Sequence, residues 1–346
     1  MAFDFASDNA AVVHPRIMAA MARCNLGYAP PYGADELSLT LNRTYSELFE
    51  HETWVFPVSS GTAANGLALG SMTPSYGVVF CHPQAHIMGS EAGSVEFYSG
   101  GGRLVVLDGD YAKIAPRALE SALIGYGPGF LHQMQASSLS LTQATERGTV
   151  YSLDELRALT GLAHRGGLKV HMDGARFANA LVALDVTPAD MTWRAGIDAV
   201  SFGTTKNGAM MAEAVLVFDR ALAEVLRFKH KRAGFLHSKM RYFSAQLLAY
   251  VEDGLWLENA RKANAVANRL AGALAAVPGV ELAFPVETNQ IFVHVPPSVT
   301  AVLEAADLRF RPWAGGKPHL HRLVASYADD DTLVGRVERA LEPRPR

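Results

Sequence analysis

From residue 54 onward, short apolar runs alternate with longer stretches that place apolar residues at helical spacing. The runs at 54–58, 78–81, 104–107, 138–143, 168–172, 197–202 and 214–218 have the length of buried strands. Pro57 weakens the first as a strand. Between them, 61–71 and 152–164 read as helices. Ser152 followed by Glu155 gives the second a capping box. Upstream, 15–23 reads as a short helix with Pro15 in its first turn, and 35–51 as another. This alternation predicts an α/β domain with a mainly parallel sheet. The pattern changes after about residue 235. A long helical stretch over 239–277, broken near Gly254, leads into strands at 280–284 and 290–295. A helix after Pro297, a strand at 321–325 and a helix over 331–341 complete a smaller α+β unit.

The expected organisation is an N-terminal arm over 1–14, a large domain over 15–238 and a small domain over 239–346, with the Pro/Arg ending a frayed tail. The chain has 346 residues, 49% hydrophobic and 19% charged, which fits a soluble globular protein with a large core. A net charge of −3 gives no reason to expect a nucleic-acid or membrane partner. No apolar stretch has the length of a membrane span, and the start of the chain lacks signal-peptide character. Cys24 and Cys81 show no metal-type spacing, and His319 with His321 does not make a zinc site without further ligands. No metal is expected, and the cytoplasm is the expected compartment.

Candidate chemistry gathers at strand ends. Asp173 closes the run Leu168-Lys169-Val170-His171-Met172. Lys206 follows the run that ends at Phe202, with room for one helix and one strand between the two. A carboxylate and a lysine at neighbouring strand ends suit pyridoxal phosphate: the acid keeps the pyridine nitrogen protonated and the amine bonds the cofactor's aldehyde. Arg176 enters from the same turn as Asp173, and a guanidinium holds a carboxylate through paired hydrogen bonds. Ser60, Gly61 and Thr62 open a helix directly after a strand, a site for a phosphate. His86 follows another strand by a short loop and can stack on a planar cofactor or carry a proton. Arg322 lies in a strand of the small domain. The run from Lys229 to Arg232 can contact a phosphate or form a solvated face. A P-loop and a dinucleotide fingerprint are both missing, which disfavours nucleotide-binding classes.

Taken together, Tyr32-Gly33, Gly61-Thr62-Ala63-Ala64-Asn65, Ala85-His86 with Glu91-Ala92-Gly93, Gln143 to Glu146, His171 to Phe177 and Phe202 to Gly208 resemble the low-specificity L-threonine aldolases, above all the bacterial branch that includes phenylserine aldolases. The resemblance runs over nearly the whole chain. It implies a fold-type-I pyridoxal phosphate lyase that cleaves L-3-hydroxy-α-amino acids such as L-threonine, L-allo-threonine and phenylserine to glycine and an aldehyde. By that resemblance Lys206 is the cofactor-bonding lysine and Asp173 the partner of the pyridine nitrogen. Ser60, Gly61 and Thr62 cradle the phosphate, and His86 stacks on the ring. Ser7, Arg176 and Arg322 hold the substrate carboxylate. Tyr32 and Lys231 reach the site from a neighbouring subunit of a homotetramer. Many relatives carry a second histidine where this chain has Glu146. The base acting on the substrate hydroxyl is therefore His86, Glu146 or a bound water. The same cofactor apparatus also serves β-eliminating lyases and racemases, or a silent cofactor-binding protein.

Overall fold

The structure is a computed structural model and describes residues 4–313, 318–329 and 331–342. The expected frayed tail falls largely at 343–346, outside these residues, as do the first three residues of the arm. In chain order the helices and strands are α1 (Pro15–Cys24), α2 (Glu36–Phe49), β1 (Trp54–Val58), α3 (Gly61–Met72), β2 (Gly77–Cys81), α4 (His86–Gly89), α5 (Ser94–Ser99), β3 (Arg103–Val106), α6 (Pro116–Gly125), β4 (Gln135–Thr142), α7 (Leu153–Arg165) and β5 (Lys169–Gly174). There follow α8 (Phe177–Leu184), α9 (Pro188–Met191), β6 (Ala199–Phe202), β7 (Glu213–Val217), α10 (Arg220–Arg232), α11 (Arg241–Val251), α12 (Leu255–Ala275), β8 (Glu281–Leu282), β9 (Gln290–His294), α13 (Pro297–Ala305), β10 (Leu320–Val324) and α14 (Asp331–Leu341). No helix among the described residues is long and apolar enough to cross a membrane.

Seven strands form the main sheet in the order β1-β7-β6-β5-β4-β2-β3. β2 to β6 run parallel, while β7 is antiparallel to both β1 and β6. β2, β6 and β7 are buried at every residue, as strands covered on both faces must be. Pro57 is tolerated because β1 is an edge strand. The capping box of α7 is present as expected.

Helix α3 lies against the sheet and is buried at eight consecutive residues, Ala63 to Gly70. α5 packs on it closely enough that a Cβ at Gly70 would stand 2.7 Å from the Tyr98 carbonyl carbon, and one at Gly66 would stand 2.5 Å from the Tyr98 ring. An aromatic cluster of Tyr45, Phe49, Phe177, Phe202, Tyr250 and Trp256 fills the opposite side.

The small sheet has the order β10-β9-β8 and is antiparallel. Its first strand is shorter than expected, two residues against five. The core changes within α12, not at 238/239: Leu255, Trp256 and Ala260 belong to the main core, and Ala267, Leu270 and Leu274 to the second. The arm is anchored too. Phe5 is buried in the second core, and its carbonyl accepts the Val324 amide at 2.7 Å. The charged run at the end of α10 is divided. His230 is buried and bonds the Pro57 carbonyl at 2.6 Å, and Lys229 Nζ donates to the Gly70 carbonyl.

Gly70→Val is expected to overpack the α3–α5 contact and cost about 1–3 kcal/mol. Urea unfolding monitored by circular dichroism would show the midpoint fall.

Candidate active site

The C-terminal ends of β4, β5 and β6 and the start of α3 surround a cavity of about 380 Å³, the place where open α/β sheets bind ligands. Asp173 stands at the end of β5, 3% exposed. Its Oδ1 accepts the Ala175 amide at 3.0 Å and its Oδ2 accepts Asn65 Nδ2 at 2.9 Å. The turn after β6 comes close beside it. A Cβ at Gly203 would meet the Ala175 backbone at 2.6–2.7 Å, so only glycine allows the approach.

Lys206 lies in a 3-10 turn over Thr205–Asn207 and lines the cavity. The turn is fixed from several sides. Thr204 and Thr205 donate their amides to the Glu213 carboxylate at 2.6 and 3.4 Å, and Asn207 Nδ2 donates to Tyr250 Oη and the Trp256 carbonyl, both at 2.8 Å. Lys206 Nζ itself has no hydrogen-bond or ion-pair partner among the described residues. Burial pushes the Glu213 carboxyl up despite these bonds.

At the start of α3, Ser60 is the N-cap and its hydroxyl accepts the Ala63 amide at 3.2 Å. Ser60, Gly61 and Thr62 all line the cavity, and a Cβ at Gly61 would meet nothing within 4 Å. His86 opens α4, and its Nδ1 lies 2.6 Å from Glu91 Oε1. That hydrogen bond is the main reason the imidazole is held above its ordinary value. Glu146 Oε1 accepts the His86 backbone amide at 2.8 Å. Glu146 Oε2 is buried with no partner. Burial, then the charge of Asp173, pushes the Glu146 carboxyl up to about 7.

Arg176 lines the cavity with one edge already taken. Its Nε and Nη2 donate to the two oxygens of Asp8 at 2.7 and 2.9 Å. Burial pushes the Asp8 carboxyl up, but Arg176 and Lys206 outweigh it and hold Asp8 below its ordinary value. Arg322 on β10 is half-buried, with its guanidinium 4.6 Å from the Trp313 ring centre. Burial, and then Arg176, brings it down to about 10. Its guanidinium has no hydrogen-bond or ion-pair partner among the described residues. Ser7 caps the turn Asp8–Ala10 through the Asn9 amide at 3.2 Å; Asn9 lines the cavity and Ser7 does not. Arg322, Tyr32 and Lys231 are also outside the cavity wall, the last two together on the surface, with Lys231 Nζ 4.8 Å from the Tyr32 ring centre.

Asp8, Asn65, Glu91 and Glu213 are buried polar groups of this region that the sequence reading did not single out as site residues. The available signals were an asparagine inside an otherwise small and apolar helix, and a glutamate heading the apolar run at 214–218.

The fold and cavity fit a class, the fold-type-I pyridoxal phosphate-dependent enzymes. The profile of the beta-eliminating lyase family matches residues 4–297. The low specificity L-threonine aldolase of Pseudomonas sp. (strain NCIMB 10558) is 41% identical, with 90% of this chain and 89% of that one covered. The enzyme of the same name from Pseudomonas aeruginosa is 40% identical at the same coverage. The structure of Leishmania major threonine aldolase superposes with a TM-score of 0.91 over 98% of each chain, at 28% identity. The chain belongs to the beta-eliminating lyase family and, within it, to the low-specificity L-threonine aldolases.

The raised Glu146 carboxyl makes stability depend on pH. An unfolded glutamate titrates near ~4.3, and this one near 7 when folded. The folded state therefore holds the proton more tightly. That contribution is complete below the unfolded value and is lost as pH rises through the folded one. Between pH 5 and 8 the denaturation midpoint of the cofactor-free protein is expected to fall more steeply than that of Glu146→Gln.

Proposed function

We propose that this protein binds pyridoxal 5'-phosphate in the β4–β6 cavity and cleaves L-3-hydroxy-α-amino acids to glycine and an aldehyde, reversibly. Three observations support the fit of the cofactor: the unpartnered Lys206 amine, the buried Asp173 carboxylate, and the open space before Gly61 at the start of α3. Lys206 would hold the cofactor's aldehyde carbon and Asp173 its pyridine nitrogen. Ser60, Gly61, Thr62 and the positive end of α3 would hold its phosphate. When bound, the cofactor supplies the electron sink for cleavage of the Cα–Cβ bond.

The other residues act on the substrate. Arg322 and the remaining edge of Arg176 bind the carboxylate, with Ser7 and Asn9 beside them. This sets which Cα bond faces the sink. His86 and Glu146 flank the cavity, and either can take the β-hydroxyl proton, directly or through a water. The observation that carries the reading is the meeting of Lys206 with Asp173 in one cavity that also holds Arg176. A β-elimination, transamination or racemisation reading would give other products from L-threonine and phenylserine.

A homotetramer is proposed in which Tyr32 and Lys231, which sit outside their own chain's cavity, reach the site of a partner subunit. With two free cysteines, Cys24 and Cys81, the cytoplasm is the fitting compartment.

Lys206→Ala is expected to abolish both turnover and covalent capture of the cofactor; retention of both refutes the assignment. His86→Ala combined with Glu146→Gln is expected to lower turnover by about 10²–10⁴-fold. Glycine and acetaldehyde or benzaldehyde are the products to measure. If neither single change nor the pair slows cleavage, the proton goes to water.

A further inference from the structure

A hydrogen-bonded chain runs across the cavity from β5 to α4. Asn65 places its amide nitrogen between two buried carboxylates: Nδ2 donates to Asp173 Oδ2 at 2.9 Å and to Glu91 Oε1 at 2.8 Å. Only the NH2 end carries two protons, so the flanking acceptors fix which way the amide faces. Glu91 Oε1 is also 2.6 Å from His86 Nδ1, and Glu91 Oε2 accepts Ser94 Oγ at 2.9 Å. The Glu91 side chain is fully shielded from solvent, whereas that of His86 is 46% exposed.

An ionised carboxylate has no proton to give, so the imidazole nitrogen facing it must carry one. His86 Nε2 then remains free, with no hydrogen-bond partner among the described residues. We propose that Glu91, held in place by Asn65, is a positioning residue that fixes His86 with its proton on Nδ1 and its Nε2 available in the cavity, and ties the imidazole to Asp173 as one unit. In this role Glu91 acts through His86, to which it is bonded, and not on the reacting atoms. The role rests on the reading of His86 as the residue that handles a proton in the site.

The charges facing the imidazole come from every side of the cavity. Glu91 lies beside its Nδ1, Asp173 is on β5, and Glu146 receives the His86 amide. Lys206, in the turn after β6, acts in the opposite direction. Glu91 contributes the largest of these effects through its hydrogen bond.

Glu91→Gln separates geometry from charge. The amide oxygen can replace Oε1 and accept from Asn65 and His86, while its NH2 donates to Ser94. Glu91→Ala removes both geometry and charge. The measurement is ¹⁵N NMR of the His86 nitrogens across pH, in cofactor-loaded and cofactor-free protein. Wild type is expected to show the Nδ1–H form and to titrate above an ordinary histidine. Glu91→Gln should keep that form but titrate about 1 unit lower or more. Glu91→Ala should lower the titration and mix the two neutral forms. In turnover, Glu91→Gln should lower kcat with little change in KM and move the acidic limb of the kcat profile to lower pH. An unchanged His86 titration in Glu91→Gln, or an undisturbed Nδ1–H form in Glu91→Ala, overturns the proposal. Where Glu91→Ala does not fold, the isosteric Glu91→Gln decides. The cofactor-free arm tests Glu91 without any reaction, so its failure is distinct from failure of the proposed cleavage, which the product assay reads.

Discussion

A carboxylate withdrawn from water must be hydrogen-bonded or neutralised, and Asp173 at the end of β5 is where this chain meets that demand. Its partners come from two directions. Ala175 supplies an amide from the turn that follows, and Asn65 reaches across from α3. The second bond sets the depth of α3 against the sheet. α3 is buried over two full turns, and α5 packs closely on it, which Gly66 and Gly70 permit. The start of α3, with Ser60, Gly61 and Thr62, is thereby held in register with the end of β5. One buried acid thus couples the α3 end of the cavity to its floor.

Charge balance at the other end follows the same rule. Arg176 and Arg322 lie within electrostatic reach of each other, and two partly buried guanidinium groups repel. Asp8 offsets one of them through a bidentate pair and, although its charge also reaches Arg322, leaves that guanidinium without a direct ion pair among the described residues. For an amino-acid substrate, that remainder matches one carboxylate. The arm at the start of the chain therefore does more than fill the second core with Phe5. It delivers the acid that makes two arginines tolerable in one place.

The strands were legible because a sheet covered on both faces writes itself as short apolar runs, with Asp173 and Lys206 standing just beyond two of them. The second core's position was less legible. α12 runs through both cores without a change of pattern, so the sequence shows one long helix and no seam. α4, α5 and α6 went unread because they are short and are stabilised by what they pack against, not by their own periodicity. Lys229 and His230 turn inward because α10 lies against α3 and β1, something a charged run does not disclose. Asn65, Glu91 and Asp8 were missed as site residues for a common reason. Each acts on another side chain, so its meaning lies in a distance that sequence spacing does not hold.

Glu146 stands where the resemblance read from the sequence implies a histidine in many relatives. A histidine there would titrate at about 6.5 without help. A carboxyl ordinarily titrates far lower and would be a permanent anion beside Asp173. Burial of Glu146, with Oε2 left unpartnered and Asp173 nearby, brings it to about 7. The environment thus gives the carboxyl the working range that an imidazole has by constitution. The charges do not exchange so simply. A histidine gains a positive charge when it takes a proton and is neutral when it gives one up. Glu146 is neutral with its proton and negative without it, and both states face Asp173. Loss of its proton therefore adds a negative charge to the cavity, where loss from histidine would remove a positive one. His86 feels that difference directly, because its own amide is bonded to the Glu146 carboxyl. Replacing histidine by glutamate preserves the pH at which the position switches, but shifts the charge of both its states by one unit toward negative.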